Sequence, residues 1–195
     1  MISIFNQSLN QLFKYFDRHH VISNDAKAEI SKICRVVKLR KNEILQDIGH
    51  TCRTIYFINS GLARIFYFKE DKDITESFAF ENNILARVES LFTGRASRKG
   101  IQVLEDTELI AIDSTRLFAL YDKFPDIERL IRKITESAYV DTVNRIESIQ
   151  FHSAEERYKE LIKNAPDVIR RVPLKFISSY LGITQVSLSR IRAHK

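Results

Sequence analysis

The chain has 195 residues, of which 44% are hydrophobic and 29% are charged, and its formal net charge is +6 at pH 7. This composition is that of an ordinary soluble globular protein and excludes disordered and fibrous classes, while the length suits one large domain plus a small one. The sequence contains neither an apolar run of the ~20 residues that span a bilayer nor a secretory signal, so we expect a cytoplasmic protein without a membrane partner.

The N-terminal part of the chain predicts two helices. The first is amphipathic, and its apolar stripe consists of Phe5, Leu9, Leu12, Phe13 and Phe16. Ser23-Asn24-Asp25 then supplies a cap and an acidic first turn for a short second helix that ends near Cys34. The stripe of the first helix could contact a membrane or a partner, but packing onto its own domain is the favoured interpretation.

Short β-strands separated by turn residues are predicted from Arg35 onward. The strand-like segments are 36–39, 43–46, 54–58, 62–68, 74–80, 101–104 and 107–112. Asn59-Ser60-Gly61 is a hairpin signal between strands rich in β-branched and aromatic residues. The apolar pattern breaks between residues 81 and 100, which predicts a loop with a short helix near 87–92. Short strands at this near-regular spacing favour an antiparallel barrel or roll.

Helical periodicity returns at Asp113-Ser114, which cap a short helix through Leu120. Pro125 then begins a long helix with an apolar stripe over about 25 residues. The stripe consists of Ile127, Leu130, Ile131, Ile134, Ala138, Val143, Ile146 and Ile149. Its repeat is imperfect, so a short two-helix contact is favoured over a full coiled coil. Ser153-Ala-Glu-Glu156 matches a capping box, so we predict a hinge near 150–152.

The last twenty residues or so have the pattern of a helix-turn-helix. Ile177 and Leu181 lie four apart, on one face of a helix that ends at Gly182, where a left-handed turn favours glycine. Thr184 is a good N-cap for a second helix, which buries Leu188. The outer face of that helix then carries Gln185, Val186, Ser189, Arg190 and Arg192. An amphipathic hairpin in an ordinary core would fit the spacing, but the polar and cationic outer face favours DNA binding.

Charge is concentrated at the same end of the chain. Residues 166–195 contain six Lys or Arg and one Asp, a net of +5, which leaves +1 of the total +6 for the other 165 residues. Phosphate neutralisation by such cations supplies most non-specific DNA affinity. A solvated basic face would also produce this charge, but its coincidence with the helical motif favours a polyanion partner.

The residues that could carry metal or catalytic chemistry are sparse. Cys34 and Cys52 form no Cys-x-x-Cys motif, which excludes a four-cysteine iron–sulfur cluster and a zinc site made by cysteines. The five histidines are scattered, and the adjacent His19-His20 pair more readily fits an exposed connection than a metal site. No nucleophile–base pair or phosphate loop is present. We therefore predict a protein that is not an enzyme and has no metal site and no cofactor.

The order of a β-roll, a long helix and a helix-turn-helix resembles the Crp/Fnr family of bacterial transcription regulators. Three stretches carry the resemblance, namely 56–64, 103–109 and 177–192. It implies an α+β fold with an antiparallel β-roll or jelly-roll sensory domain over 1–125, a dimerisation helix over 126–150 and a helix-turn-helix domain over 151–195. It also implies a homodimer on a pseudo-palindromic double-stranded DNA operator with half-sites about 34 Å apart, and RNA polymerase as a further partner to consider.

The chain departs from the family members that bind cyclic nucleotides. Those members have a Gly-Glu pair and an Arg-Ser-Ala-like run, whereas this chain reads Phe80-Glu-Asn-Asn-Ile84 and places Ser97 where the phosphate-binding arginine is expected. We therefore expect no cyclic-nucleotide response and an unknown small-molecule effector. The candidate effector loop comprises Glu81, Arg95, Ser97 and Arg98. Arg95, Arg98 and Lys99 could hold another anion, although a solvated basic loop is the favoured interpretation.

The predicted recognition helix also differs from the family pattern, in which an Arg-Glu pair follows the cap. Here the corresponding residues are Gln185 and Val186, which would suit an adenine and a thymine methyl, whereas Arg190 keeps the arginine that pairs with guanine. Ser189 completes the candidate base-reading set. The candidate phosphate contacts are Lys175, Thr184, Ser187, Arg192 and Lys195. No β-wing follows Arg192, so we expect the basic tail to substitute for it.

Two other functions stay open on the sequence alone. The chain could be a small-molecule-binding β-roll whose helical tail binds protein partners, in which case its behaviour on DNA would not depend on salt. A cupin-type enzyme would need two or three histidines and a glutamate converging on a metal, yet His50 is the only histidine within the roll.

Overall fold

The computed structural model describes residues 2–193, with the side chains of residues 5–193. The helices are α1 Ile2–His19, α2 Asn24–Lys32, α3 Val88–Thr93, α4 Ser114–Phe118, α5 Pro125–Phe151, α6 Ala154–Asn164, α7 Val168–Arg171, α8 Leu174–Leu181 and α9 Gln185–Ala193. The strands are β1 Cys34–Leu39, β2 Ile44–Gln46, β3 Thr54–Ser60, β4 Ala63–Lys69, β5 Lys72–Ala79, β6 Ile84–Leu85, β7 Gly100–Val103 and β8 Thr107–Asp113.

The strands form two antiparallel four-stranded sheets that face each other as a roll. One sheet has the order β1-β8-β3-β6 and the other the order β2-β7-β4-β5. The inner faces of the two sheets meet in a core that includes Tyr56, Ile58, Ala63, Ile65, Ile101 and Leu109. The predicted antiparallel roll is therefore confirmed, because the alternating side chains of both sheets fill one interior.

The outer face of the first sheet is covered by helices. Leu12 and Phe16 of α1, Ile30 of α2 and Leu117 of α4 pack with Phe57 and other residues of that sheet. Ile127 and Leu130, in the first turns of α5, belong to the same core. The predicted amphipathic N-terminal helix thus packs onto its own domain, and the long helix begins on the roll.

The predicted helix boundaries agree with the structure at several caps. The Ser23 hydroxyl accepts from the Ala26 N–H at 3.2 Å, and Ser153 forms the capping box with Glu156. The long helix ends at Phe151, within the segment 150–152 for which a hinge is predicted. One strand was missed, because the two residues of β6 lie inside the segment that the apolar pattern assigned to a loop.

A small C-terminal unit follows α5. Helices α6 to α9 enclose a core of Tyr158, Val168, Val172, Ile177 and Leu188, which Leu62 and Leu104 of the roll complete. The C-terminal unit therefore shares its core with the roll. Among residues 2–193, no helix combines the length and hydrophobicity that a bilayer crossing requires.

Candidate nucleic-acid interface and its attachment to the roll

Helices α8 and α9 are joined by a short turn at Gly182. Gly182 has φ +69°, in the left-handed region, and its N–H donates to the Ser179 carbonyl at 3.1 Å. The Ile183 N–H donates to the Ser178 carbonyl at 3.0 Å, so two of the last carbonyls of α8 are satisfied by the turn. The glycine predicted from the sequence is therefore the residue at which the backbone reverses.

The start of α9 is capped by Thr184. Its hydroxyl accepts from the Ser187 N–H at 3.1 Å and lies 3.0 Å from the Ser187 hydroxyl. Leu188 is fully buried against α8, and Ile191 packs at the edge of the same core. These contacts fix α9 to α8, because Thr184 caps the first turn of α9 and Leu188 anchors the helix in the core that α8 shares.

The outer face of α9 is exposed to solvent along its whole length. The residues on it are Gln185, Val186, Ser189, Arg190 and Arg192. Val186 is 61% exposed, although it is an apolar residue at the start of a helix. The side chains predicted to read bases therefore share one accessible face. Their role in reading DNA stays a prediction.

The candidate phosphate-contacting residues differ in their solvent exposure and in the hydrogen bonds that they already make. Lys175 is exposed and its ammonium lies 4.6 Å from the centre of the Phe176 ring, and Arg192 is exposed on α9. The hydroxyls of Thr184 and Ser187 are already engaged with each other in the cap. Lys195 lies outside the described residues. Lys175 and Arg192 could therefore contact phosphates without breaking a hydrogen bond of the helix cap, whereas Thr184 and Ser187 could not.

Arg171, at the end of α7, makes an ion-pair network with the roll. Its guanidinium donates to Glu81 at 2.7 and 3.0 Å and to Glu105 at 2.5 and 3.2 Å. The Arg171 side chain is 18% exposed, and each carboxylate is 33% exposed. We call this group the Arg171 clamp. Arg171 is one of the six cations in residues 166–195, and in the structure two acids of the roll already pair with it.

Electrostatics within the Arg171 clamp favour the charged forms of its members. Hydrogen bonds to Glu81 and Glu105 raise the pKa of Arg171. Burial alone would raise the pKa of Glu81, but hydrogen bonds from Arg171 and from the Gly61 N–H outweigh it and lower that pKa below its usual value. Glu81 is therefore an ionised acceptor at neutral pH that joins the C-terminal unit to the β3–β4 turn.

Helix α8 also lies directly against strand β5. The Ser179 hydroxyl accepts from the Thr75 N–H at 2.8 Å and donates to the Asp73 carbonyl at 3.2 Å. Beside it, the guanidinium carbon of Arg64 lies 3.7 Å from the centre of the Phe176 ring. Arg64 is 2% exposed and makes a bidentate pair with Asp73 at 2.6 Å. The first helix of the candidate interface is thus bonded to the edge strand of the second sheet.

Two arginines bind the C-terminal end of α8. Arg145 of α5 donates to the Tyr180 carbonyl at 2.5 Å and stacks on the Tyr180 ring at 3.8 Å. Arg157 of α6 donates to the Leu181 carbonyl at 2.9 Å. These carbonyls belong to the last turn of α8, where the helix dipole favours cations. The orientation of α8 is therefore tied to the long helix as well as to the roll.

The candidate effector-loop residues have different surroundings. Arg95 and Arg98 are exposed in the connection between α3 and β7. Ser97 is buried, and its hydroxyl donates to the Lys99 carbonyl at 2.9 Å and accepts from the Lys99 N–H at 3.1 Å. Glu81, in contrast, has its contacts with Gly61 and the Arg171 clamp. A ligand role for this set stays a prediction.

Metal-ligating side chains do not converge within residues 2–193, where no group of three or more His, Cys, Asp and Glu could hold an ion. Cys52 is buried and Cys34 is half-buried, and neither forms a disulfide. Burial raises the pKa of Cys34 to about 12. Both cysteines therefore contribute to packing in the described structure.

Residues 36–124 match the family model of the cyclic nucleotide-binding domain. The fold is similar to that of FixK2 from Bradyrhizobium japonicum, with 16% identity over 83% of this chain and 84% of that one and a TM-score of 0.69. It is also similar to a Crp/Fnr family transcriptional regulator from Eubacterium rectale, with 16% identity over 89% and 83% and a TM-score of 0.69.

A third similar structure is the c-di-GMP-responsive global regulator CLP from Xanthomonas campestris. It shares 14% identity over 88% of this chain and 91% of that one, with a TM-score of 0.67. No curated protein is similar enough in sequence to count as a relative of the chain. The similarity to known proteins therefore lies in a shared domain and a shared fold.

Proposed function

We propose that this chain, which carries a cyclic nucleotide-binding domain and has the fold of Crp/Fnr transcriptional regulators, is a DNA-binding transcription regulator that acts as a homodimer. The observation that carries the proposal is the outer face of α9, which presents Gln185, Val186, Ser189 and Arg190 together to solvent. The helix is capped and anchored on α8, so this face is rigid enough to enter a major groove.

Base reading is assigned to the side chains on that face. Arg190 can donate two hydrogen bonds to guanine O6 and N7, and Gln185 can pair with adenine N6 and N7. Val186 can contact a thymine methyl. Lys175 and Arg192, both exposed, would neutralise phosphates on either side of the groove. The preferred half-site should therefore contain a guanine and an adenine within one turn of DNA.

The long helix supports dimer formation. Beyond its contact with the roll, α5 exposes about half or more of the surface of Tyr139, Val140, Ile146, Ile149 and Phe151. A groove of about 400 Å³ lies between α3 and α5, lined on the α5 side by Ile134, Ala138 and Tyr139. Exposed apolar side chains concentrated on one helix in this way favour a protein partner. A second copy of α5 would cover it and would set two α9 helices on one face of the DNA.

We propose that the small-molecule effector of the roll is not cyclic AMP. Ser97 stands where a phosphate-binding arginine is expected, and its hydroxyl is occupied by the backbone of Lys99. A serine cannot supply the bidentate guanidinium that a cyclic phosphate requires. Cyclic AMP should therefore leave the affinity for operator DNA unchanged.

The proposal is tested by selecting bound sequences from random DNA with the full chain, while light scattering measures the oligomeric state. Arg190→Ala should then weaken operator binding by about 1–3 kcal/mol and relax specificity at one base position. Arg18→Ala, which removes an exposed arginine from α1, is the control with the same change of charge.

Equal losses on operator and random DNA would contradict base reading by Arg190. Contacts with phosphates make the affinity for DNA fall as the salt concentration rises. Binding to a DNA column that does not change with salt would therefore favour the second candidate, a roll whose helical tail binds protein partners. A monomer by light scattering at all concentrations would contradict the homodimer.

A further inference from the structure

A buried arginine lies on the outer face of the second sheet, beneath α8. Its neighbours in β4, Ala63 and Ile65, belong to the core inside the roll, so Arg64 points to the opposite face. Arginine side chains are mostly exposed in proteins, whereas Arg64 is buried here. Since burying a charge is costly unless the charge is paired, an arginine in this place needs specific partners.

The guanidinium of Arg64 has hydrogen-bond partners on both neighbouring strands. Nη1 and Nη2 donate to the two carboxylate oxygens of Asp73 in β5, each at 2.6 Å. Nη1 also donates to the Thr75 hydroxyl at 3.1 Å, and Nε donates to the side-chain oxygen of Gln102 in β7 at 2.9 Å. These bonds engage all three nitrogens, so they fix the plane of the guanidinium on the sheet.

The fixed guanidinium lies against the beginning of α8. Its central carbon is 3.7 Å from the centre of the Phe176 ring and 4.7 Å from the centre of the Phe66 ring. Phe176 is buried and belongs to the first turn of α8. A guanidinium is attracted to the face of an aromatic ring, and a planar group stacks there in a defined orientation. Arg64 therefore determines where the N-terminal end of α8 rests on the sheet.

Arg64 also holds the two residues of β5 to which α8 is hydrogen-bonded. The Ser179 hydroxyl accepts from the Thr75 N–H and donates to the Asp73 carbonyl. Strand β5 is at the edge of its sheet, so these backbone groups face α8 in place of a further strand. Arg64 thus acts on α8 by two routes, directly through Phe176 and indirectly through the backbone of β5.

We propose that Arg64 is a positioning residue for DNA recognition, which sets the angle of α8, and with it that of α9, without touching DNA. Arg145 and Arg157 hold the C-terminal end of α8. Loss of the Arg64 contacts would weaken the restraint on rotation of α8 about that end. In a homodimer the angle of both α9 helices decides which half-site spacing fits. This inference rests on the proposed function and extends it to a residue of the roll.

The test uses the full chain and operators in which the distance between the two half-sites varies in steps of one base pair. Wild type should bind one spacing best, because both α9 helices have a fixed angle. Arg64→Met removes the hydrogen bonds but keeps an unbranched side chain. Coupling between two sites typically amounts to about 5–150-fold, so the preference for the best spacing over its neighbours should fall by at least about fivefold.

A pair of adjacent serines tests the same contact from the side of α8. Ser179→Ala removes both hydrogen bonds to β5 and should weaken the spacing preference in the same direction. Ser178→Ala is the matched control, because the Ser178 hydroxyl donates to the Lys175 carbonyl within α8. It should keep the wild-type preference. If Arg64→Met does not fold, this pair of variants decides the matter.

Hydrogen exchange of the Thr75 amide is a second readout that does not require DNA. This amide lies at the outer edge of β5, so its protection depends on the contact with α8. Loss of a hydrogen bond and its supports should speed its exchange in Arg64→Met by about tenfold or more. Ile30→Ala, in the core on the first sheet, lowers the free energy of unfolding at a distance from α8 and should change neither readout.

An unchanged spacing preference in Arg64→Met would overturn the positioning role, and so would unchanged exchange of the Thr75 amide, since α8 would then be docked without Arg64. Equal effects in Ile30→Ala would also overturn it, because the loss would then reflect stability alone. If wild type binds no operator, the proposed function fails, while the exchange of Thr75 still decides whether Arg64 positions α8.

Discussion

The Arg171 clamp offers a direct measure of how firmly the C-terminal unit is held on the roll. Replacing Arg171 with Met removes four charge-assisted hydrogen bonds and leaves Glu81 and Glu105 facing each other without a cation. Exposed ion pairs contribute about 0–1 kcal/mol, and breaking a fully buried pair costs about 3–5 kcal/mol. The clamp is partly buried, so we expect the free energy of unfolding to fall by about 2 kcal/mol.

Urea denaturation of the full chain at pH 7 measures this loss. The control is Arg170→Met at the adjacent position, since Arg170 pairs with Asp167 on the surface and is 78% exposed. That variant has the same change of charge and should lose no more than about 0.5 kcal/mol. Equal losses in the two variants would refute the assignment of Arg171 as an interdomain contact.

The stabilisation by the clamp also depends on pH. Since the pKa of Glu81 is lowered in the folded protein, its contribution is present above the unfolded value and is lost as pH falls through the folded value. The difference in the free energy of unfolding between wild type and Arg171→Met should therefore become smaller at pH values below the ordinary pKa of a glutamate, about 4.3. A difference that stays constant from pH 7 to pH 3 would contradict this electrostatic origin.

Two further predictions concern single residues. Gly182→Ala should destabilise the chain by about 1 kcal/mol, because alanine is strained at a left-handed φ, whereas Gly182→Asn should lose less in the same denaturation assay; equal losses would contradict the turn argument. Cys34, whose pKa burial raises to about 12, should react with a thiol reagent at pH 8 far more slowly in the folded chain than in urea, and rapid reaction of the folded protein would contradict its burial.

Much of the architecture was readable from local sequence patterns. The capping box at Ser153 and Glu156, the left-handed Gly182 and the strand alternation each depend on residues within a few positions of one another. The resemblance to Crp/Fnr regulators is confirmed at the level of the fold, and residues 36–124 match the cyclic nucleotide-binding domain. Local patterns were sufficient here because propensity, capping and burial agree with the final fold.

The contacts between the two parts of the chain were not predictable in this way. Arg171 and Glu81 are 90 positions apart, and neither residue carries a local signal for the other. From the sequence alone, Arg171 is interpreted as a cation available to DNA, because it lies in a basic segment. Arg87 likewise gave no local signal of burial, since arginine side chains are mostly exposed in proteins, whereas Arg87 is buried here. The roles of such residues can be identified only in the folded structure, where segments distant in the sequence lie close together.

The attachment of α8 by its C-terminal end has a geometric consequence for the half-site spacing of the proposed dimer. Arg145 and Arg157 hold the last carbonyls of α8 at the point where the chain turns into α9. A helix of nine residues such as α9 is about 13.5 Å long, at a rise of about 1.5 Å per residue. A rotation of about 15° at this pivot would displace the far end of α9 by about 3.5 Å, more than the length of a hydrogen bond. In the proposed two-fold dimer both α9 helices would shift together, so a small change of angle at this pivot would alter the distance between the two helices on the DNA.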